Sequence, residues 1–336
     1  NKSEIIMKAA IHDTFGEPVD VLRARDVDKP VPSAGDVLVR MTLSPIHNHD
    51  LWIIRGNYGY KPDLPGAIGG TEAVGIIDAV GEGVDTGLIG TRIAVAGVHG
   101  TWAEYFTASA QGVLPLPDAI SDTAGAQLIA MPFSAISLLE TLKATKGDWI
   151  IQTSANGAVG KIIATLAKSR GIHLVNLVRR EEAVQELVDL GIDNVLSTSD
   201  AGWQQKAREI MGKAGATSAI DSVGGDVSAD LVELLGLDGE LIVFGTATGA
   251  PMPLSSGSLI MKHITVKGFW GSRVSSEMDP DERKRLITEL VTLTATGKLV
   301  LEDGGVFSID QITAGLKAAL TPGRTGKVMV SGHHSG

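Results

Sequence analysis

The stretch Trp149-Ile-Ile-Gln-Thr-Ser-Ala-Asn-Gly-Ala-Val-Gly160 decides the fold of this 336-residue chain. It is an apolar strand that leads into Ala155-x-Gly157-x-x-Gly160, and a small-residue helix (161–169) and a second strand (174–178) follow. A dinucleotide pyrophosphate needs this order: a tight turn, a small residue where backbone meets phosphate, and the free N–H groups of a helix N-terminus. The stretch therefore predicts a dinucleotide-binding βαβ unit, with a ligand-free crossover as the alternative.

Two arginines, Arg179 and Arg180, follow the second strand. A strand end that binds NAD carries Asp or Glu for the ribose 2′-hydroxyl, whereas guanidinium groups suit a 2′-phosphate through charge-assisted hydrogen bonds. The pair is a local positive spot on a chain of net charge −10. We therefore predict NADPH as the cofactor.

Composition indicates a folded α/β enzyme of two domains. A chain of 336 residues exceeds the size at which one core keeps growing, and 43% of its residues are hydrophobic. The net charge of −10 argues against nucleic acid and anionic membranes as partners. Zero cysteines exclude disulfides, thiolate zinc sites, iron–sulfur clusters and a cysteine nucleophile. We expect a reducing, cytoplasmic location.

The ends of the chain carry no functional argument. The sequence has no apolar run of about 18 residues, the length that could span a bilayer. Asn1 to Ile6 is too short and too polar for a signal peptide. Met7 is a candidate for the natural start, and we leave the residues before it and Gly332–Gly336 aside.

The hydrophobic period changes near Ser121. Before it, short β-branched runs alternate with Gly, Pro and Asp, and the last of these strand-like runs covers Trp102–Thr107. The pattern predicts an antiparallel, barrel-like β domain. After it, helices alternate with strands, as in a parallel doubly wound sheet with right-handed crossovers. A helix capped by Asp279, with Pro280 in its first turn and Gly297 at its end, precedes a last helix over Ile312–Leu320 and a strand. We expect this tail to complete the first domain.

The chain resembles the medium-chain dehydrogenase/reductase superfamily, and within it the zinc-free 2-enoyl thioester reductases and quinone reductases. The resemblance covers nearly the whole chain and rests on motifs in order: Arg55-Gly-Asn-Tyr-Gly-Tyr-Lys-Pro62, Gly70-Thr-Glu-Ala-Val-Gly75, the glycine turn, Asn176-Leu-Val-Arg-Arg180, Ser258-Leu-Ile-Met-Lys262 with Lys267-Gly-Phe-Trp270, and Lys327. It implies an α/β fold: a GroES-like β-barrel catalytic domain (1–122, completed by 273–336) and a Rossmann NADPH-binding domain (123–272). It also implies a homodimer.

The resemblance assigns a cofactor cradle. It implies pyrophosphate contacts at Asn156, Gly157, Ala158, Val159 and Gly160, and 2′-phosphate contacts at Arg179 and Arg180. Around the nicotinamide half of the cofactor it places Phe244, Gly245, Thr246, Ala247, Phe269, Trp270 and Gly271. It also implies that Lys327 contacts the cofactor from the C-terminal segment. Met131 is a further cofactor contact, at a position where the family has a polar residue. For Phe244 and Phe269 an ordinary core role is the alternative.

The zinc ligands of related alcohol dehydrogenases fall on His47, Thr71 and Met131. Thr71 and Met131 are poor zinc ligands, and a catalytic site needs three protein ligands, so we predict no metal. An atypical alcohol dehydrogenase site at His47, His49 and Asp50 is an alternative, because His47 and His49 would point the same way in an extended segment.

Without a Lewis acid, hydride transfer suits an activated C=C bond better than a plain carbonyl, because the charge spreads into an enolate. A hydrogen-bond donor and a proton then suffice, and a phenol stays protonated at neutral pH. Tyr58 matches the family's catalytic tyrosine, with His49 as the second candidate donor and a loop-packing role as the alternative for Tyr58. We predict a reductase of enoyl thioesters, enones or quinones; an NADPH-binding protein without activity is the remaining alternative.

Overall fold

The computed structural model describes residues 5–332. The chain forms two compact units: Asn1–Ala130 with Leu290–Gly336, and Met131–Glu289. The predicted domain borders after residues 122 and 272 stay a prediction. The terminal segments set aside above lie partly outside the described residues. Within residues 5–332, no helix is both long and apolar enough to cross a bilayer.

The N-terminal part of the first unit is mainly β-structure. Its elements are β1 (Ile6–His12), α1 (Pro18–Val21), β2 (Arg23–Asp28), β3 (Asp36–Pro45), α2 (Asn48–Arg55), β4 (Ala67–Ile68), β5 (Glu72–Val80), β6 (Arg92–Ala96), β7 (Tyr105–Ser109), β8 (Leu114–Pro115) and α3 (Asp122–Gly125). β3 pairs antiparallel with both β5 and β7, and β1 pairs with β2 and β4 in a separate sheet. The expected barrel-like β domain is therefore present.

Trp102 is fully buried where these two sheets approach each other. We expected a strand over residues 102–107, but β7 begins at Tyr105. The Trp102 carbonyl accepts from the Ala10 amide at 2.8 Å, its amide donates to Gly69 O at 2.8 Å, and its indole donates to Pro45 O at 3.2 Å. The backbone of Trp102 thus bonds to β1 and the segment after β4, which ends the ladder with β3 before this residue.

The second unit alternates helices and parallel strands. Its elements are α4 (Ala130–Thr141), β9 (Trp149–Gln152), α5 (Ala158–Ser169), β10 (His173–Val178), α6 (Glu181–Asp189), β11 (Val195–Ser197), α7 (Trp203–Met211), β12 (Ala216–Asp221), α8 (Asp226–Leu234), β13 (Leu235–Val243), α9 (Ser256–Lys262), β14 (Thr265–Gly268), α10 (Gly271–Glu277) and α11 (Pro280–Ala295). The strand order β11-β10-β9-β12-β13-β14 is the Rossmann order, which confirms the predicted fold class.

Helix α5 shows how the sequence builds this unit. Ile162, Ile163, Leu166 and Ala167 recur at helical spacing and are all buried. Each buried Ile or Leu side chain contributes about 1.5–3 kcal/mol. Gly160 allows the close approach, since a Cβ there would lie 2.7 Å from the Ser154 carbonyl oxygen. The apolar face therefore holds the helix against the turn that precedes it.

The C-terminal tail returns to the first unit. It contains β15 (Asp303–Ser308), α12 (Ile312–Leu320) and β16 (Lys327–Ser331). β16 pairs antiparallel with β3, and the Ile46 amide donates to the Val328 carbonyl at 2.9 Å. The last helix spans the expected residues. The pairing brings Lys327 beside the start of α2.

Candidate functional site

The turn between β9 and α5 presents unpaired backbone amides. Ser154 has φ 52°, and Gly157 occupies the N-cap of α5. The first intrahelical bond runs from the Lys161 amide to Gly157 O at 3.0 Å. The amides of Ala158, Val159 and Gly160 therefore have no intrahelical acceptor, the arrangement that binds a phosphate.

The structure brings this turn together with the two arginines. A cavity of about 370 Å³ is lined by Ser154, Asn156, Arg179, Arg180 and Ala183. Both arginines are exposed at the end of β10, and neither forms an ion pair with an acidic residue of the described chain. Unpaired guanidinium groups beside a helix N-terminus fit a dinucleotide that carries a further phosphate.

The remaining predicted cradle residues follow β13 and β14 in this unit. The Phe244 amide donates to Asp221 O at 2.8 Å and the Phe269 amide to Val243 O at 2.8 Å, so each extends its strand's ladder. The Phe244 and Phe269 rings are 5.9 Å apart and half-buried. Trp270 is 67% exposed. The others of the group, Gly245, Thr246, Ala247 and Gly271, also follow the carboxyl ends of β13 and β14.

Asp221 organises this end of the sheet, and sequence reasoning missed it. The buried carboxylate accepts from Val223 N at 2.9 Å, Gly224 N at 3.2 Å and Ser228 Oγ at 2.5 Å. Thr153, which follows β9, donates to it at 3.3 Å. The sequence pattern that could have identified Asp221 is an acidic residue that ends an apolar strand shortly before two glycines. In the structure this strand end lies where the strand order of the sheet reverses.

In the first unit, His47 and Glu72 form a fully buried pair. His47 Nε2 lies 2.7 Å from Glu72 Oε1. The other carboxylate oxygen of Glu72 accepts from the amides of Ile129 and Ala130, each at 2.9 Å. Glu72 thus holds His47 and the backbone of Ile129 and Ala130 together within the first unit. Within residues 5–332, His47 Nδ1 has no hydrogen-bond partner.

His49 belongs to a second hydrogen-bonded chain. Thr71 Oγ1 donates to Asp50 Oδ1 at 2.8 Å, and His49 Nε2 lies 2.8 Å from the same hydroxyl. A hydroxyl has one hydrogen, so His49 Nε2 must be the donor to Thr71. Burial is the main cause that lowers the pKa of His49, and the carboxylate of Asp50 opposes it. We infer a neutral imidazole at neutral pH with its lone pair on Nδ1.

Tyr58 lies against this chain. Its ring stacks on His49 with centroids 5.9 Å apart, and the Trp52 ring is 6.3 Å away. The His49 ring also stacks on His47 at 4.9 Å. Tyr58 is 39% exposed, and its hydroxyl makes no hydrogen bond within residues 5–332. The structure therefore brings together the two residues predicted to donate a proton.

Lys327 and Met131 are not among the residues that line the arginine cavity. Lys327 is half-buried on β16, and burial is the main cause that lowers its pKa, opposed by the carboxylates of Asp50 and Glu72. Its ammonium has no hydrogen-bond or ion-pair partner in the described part of the chain. Met131 is half-buried in the first turn of α4. Their predicted cofactor contacts stay predictions.

The donor set does not favour a metal. His47 caps α2 and His49 lies within it, so the extended geometry considered for a two-histidine site is wrong. His47 Nε2 is engaged by Glu72, and His49 Nε2 by Thr71. Among residues 5–332, no group of three or more His, Asp or Glu side chains is arranged to hold a metal ion.

A GroES-like β unit, a Rossmann sheet and a phosphate-binding turn define a class of two-domain oxidoreductases that use a nicotinamide cofactor. Residues 33–118 match the alcohol dehydrogenase GroES-like domain, and residues 158–290 match the zinc-binding dehydrogenase family. The chain belongs to the medium-chain dehydrogenase/reductase superfamily, in its enoyl reductase and quinone reductase-like group, as the following relatives show.

Mitochondrial enoyl-acyl-carrier-protein reductases are similar over nearly the full length. The Caenorhabditis elegans protein is 32% identical over 86% of this chain and 85% of its own length. The Homo sapiens protein is 28% identical over 94% and 86%, respectively. Among solved structures, a putative NADPH:quinone reductase from Bacillus thuringiensis has a TM-score of 0.86 and 28% identity, covering 97% of this chain and 99% of that one. The predicted family and enzyme class are confirmed.

Proposed function

We propose that this protein is an NADPH-dependent, zinc-independent reductase of activated C=C bonds, acting on enoyl thioesters, enones or quinones. The observation that carries the proposal is the stack of Tyr58 on His49. In it, a phenol that has no hydrogen-bond acceptor among residues 5–332 lies beside a hydrogen-bonded chain whose histidine Nε2 nitrogens are engaged by Glu72 and Thr71. Enoyl reductase and quinone reductase are also the names of the relatives.

The unpaired guanidinium groups of Arg179 and Arg180 support NADPH over NADH. They would hold the 2′-phosphate, while the amides of Ala158 and Val159 would face the pyrophosphate. NADPH, when bound, supplies the hydride. Asn156 lines the same cavity and is available to the phosphates.

Tyr58 would supply the proton. A hydride on the β-carbon of a conjugated carbonyl leaves an enolate, which the phenol stabilises as hydrogen-bond donor before it protonates the α-carbon. The half-buried His49 ring fixes the phenol by stacking, and Thr71 and Asp50 fix His49. His49, the second candidate donor, would have to give up the Nε2 proton that it donates to Thr71, because its Nδ1 carries the lone pair.

The test measures NADPH oxidation with crotonyl thioester, an enone and a quinone. The reverse reaction, reduction of NADP+, is measured with a simple alcohol. We expect turnover of at least one activated alkene or quinone, and Tyr58→Phe should lower kcat about tenfold or more. Turnover of the alcohol alone would refute the proposal. An unchanged kcat in Tyr58→Phe would remove Tyr58 from the mechanism and favour His49.

We also propose a homodimer that pairs through β14. All four residues of this edge strand are exposed, and the neighbouring helix α9 exposes Ile260 and Met261 at 74% and 79%. An exposed edge with adjacent apolar side chains is a template for strand pairing. The cytoplasmic location stays a prediction from the absence of cysteine.

A further inference from the structure

Tyr60 and His99 form a face-to-face aromatic pair in the first unit. Their ring centroids are 3.6 Å apart and their planes differ by 9°. Both side chains are exposed, Tyr60 at 39%. Most aromatic pairs in proteins adopt offset or edge-to-face geometry, so a parallel exposed pair presents an unusually flat aromatic surface.

The backbone holds His99 in place. His99 lies between Gly97 (φ 71°) and Gly100 (φ 92°), both in the region that favours glycine. The Gly100 amide donates to Gly70 O at 2.9 Å. Burial is the main cause that lowers the pKa of His99, with Asp50 acting in the opposite direction. The imidazole is therefore an uncharged flat ring at neutral pH.

Both rings line a cavity of about 400 Å³, within the size range of small-molecule sites. Asp50, Thr71, Ile53 and Ile54 line it as well. Asp50 and Thr71 are the residues that fix His49, on which Tyr58 stacks. Asp50 and Thr71 therefore border both this cavity and the hydrogen-bonded chain of His49.

We propose that the Tyr60–His99 pair determines substrate specificity, and that it favours alkenes conjugated to a planar ring over alkyl-substituted ones. This inference rests on the proposed function and narrows its substrate class. A phenyl ring at the reacting alkene would add a third aromatic surface to the pair, and Ile53 and Ile54 would cover its edge. An alkyl group has no aromatic face to offer to the pair.

The experiment compares two enones that differ in one group, 4-phenylbut-3-en-2-one and pent-3-en-2-one. The measured quantity is the ratio of their kcat/KM values. In His99→Leu we expect this ratio to fall about 2- to 10-fold, the range of an aromatic pair contact. His99→Phe should restore it, because it restores a flat ring.

The control is His173→Leu. His173 stacks on Trp149 at 4.8 Å in the other unit, so this variant removes a comparable exposed stack that does not line the cavity. A ratio unchanged in His99→Leu, or lowered equally in His173→Leu, would overturn the inference. If wild-type protein reduces neither enone, the thioester and quinone assays decide the proposed function, and equilibrium binding of the phenyl enone tests the pair. Binding equal in wild type and His99→Leu would then overturn it.

Discussion

The Thr71 hydroxyl has one hydrogen, and it donates that hydrogen in a hydrogen bond to Asp50. This fixes the direction of the next bond, so His49 donates from Nε2 and keeps its lone pair on Nδ1. Among residues 5–332, Nδ1 has no partner, and the ring is 19% exposed. Thr71 and Asp50 therefore decide which nitrogen of His49 is free for chemistry.

The lowered pKa of His49 predicts a pH dependence of stability. The ordinary pKa of a histidine is 6.5, and the pKa of His49 in the folded chain is lower. Between the two values His49 is protonated in the unfolded chain but not in the folded one. The free energy of unfolding therefore falls as pH falls from 6.5 toward the folded pKa. We expect a lower midpoint of thermal unfolding at about pH 5.5 than at about pH 7.5, which are one unit below and above the ordinary histidine pKa. His49→Gln should reduce this difference.

His99→Gln should also reduce the difference in thermal midpoint between the two pH values, because burial lowers the pKa of His99 too. The measurement is the midpoint difference between the two pH values for each variant. An identical difference in wild type and His49→Gln would contradict the neutral assignment of His49.

Arg179 and Arg180 should separate NADPH from NADH. The double variant Arg179→Gln/Arg180→Gln loses charge-assisted hydrogen bonds to a 2′-phosphate, each worth about 1.5–3 kcal/mol. We expect the Kd for NADPH to rise about 10- to 100-fold or more, with little change for NADH. Isothermal titration with both nucleotides measures this.

The matched control for the arginines is Arg208→Gln, which removes an exposed charge on α7 of the same unit. It should change neither affinity appreciably. Equal losses for NADPH and NADH in the double variant would show that the arginines do not recognise the 2′-phosphate.

At the scale of elements, the start of α5 depends on Gly160, which packs directly against the turn before the helix. A Cβ on Gly160 would lie 2.7 Å from Ser154 O and 2.9 Å from Ala155 Cα. Both are backbone atoms, so the helix or the turn must move. Because the turn carries the amides that would face the pyrophosphate, packing and cofactor binding are coupled at this residue.

We predict that Gly160→Ala lowers the free energy of unfolding by about 1–3 kcal/mol, the usual cost of overpacking. It should also weaken NADPH binding. Thermal unfolding and titration calorimetry measure the two effects. The control is Gly257→Ala in α9, where the added Cβ meets only Ser255 Oγ at 3.7 Å, so it should be neutral or slightly stabilising. Equal behaviour of the two variants would contradict this account.

At the scale of the whole molecule, the proposed dimer depends on the edge of the six-stranded sheet. Val266 lies in the middle of β14 and is 37% exposed. A lysine on an edge strand opposes pairing with another strand. We expect wild-type protein to be a dimer by light scattering after size exclusion, and Val266→Lys to shift it toward the monomer.

Val188→Lys is the control, since Val188 is 49% exposed on α6 of the same unit and is not part of the edge. It should leave the assembly unchanged. A monomeric wild type, or a dimeric Val266→Lys at the same concentration, would contradict pairing through β14.

The order of elements was readable because it rests on local patterns. Apolar periodicity and glycine turns gave the parallel sheet around β9 and β10 and the bounds of α12. Trp102 marks where local patterns stop: its alternation suggested a strand, yet its backbone bonds to Ala10 and Gly69. The Tyr60–His99 pair was invisible for the same reason, since nothing in either loop specifies the other.

By itself, the sequence determined the fold class and the glycine turn that is followed by a pair of arginines, because each depends on residues close together along the chain. Tertiary structure alone decided that His47 is engaged by Glu72, that Thr71 and Asp50 set the tautomer of His49, and that Tyr58 stacks on it. These contacts join α2, β5 and the loops around them. Their geometry depends on how distant strands pack, which no local spacing encodes.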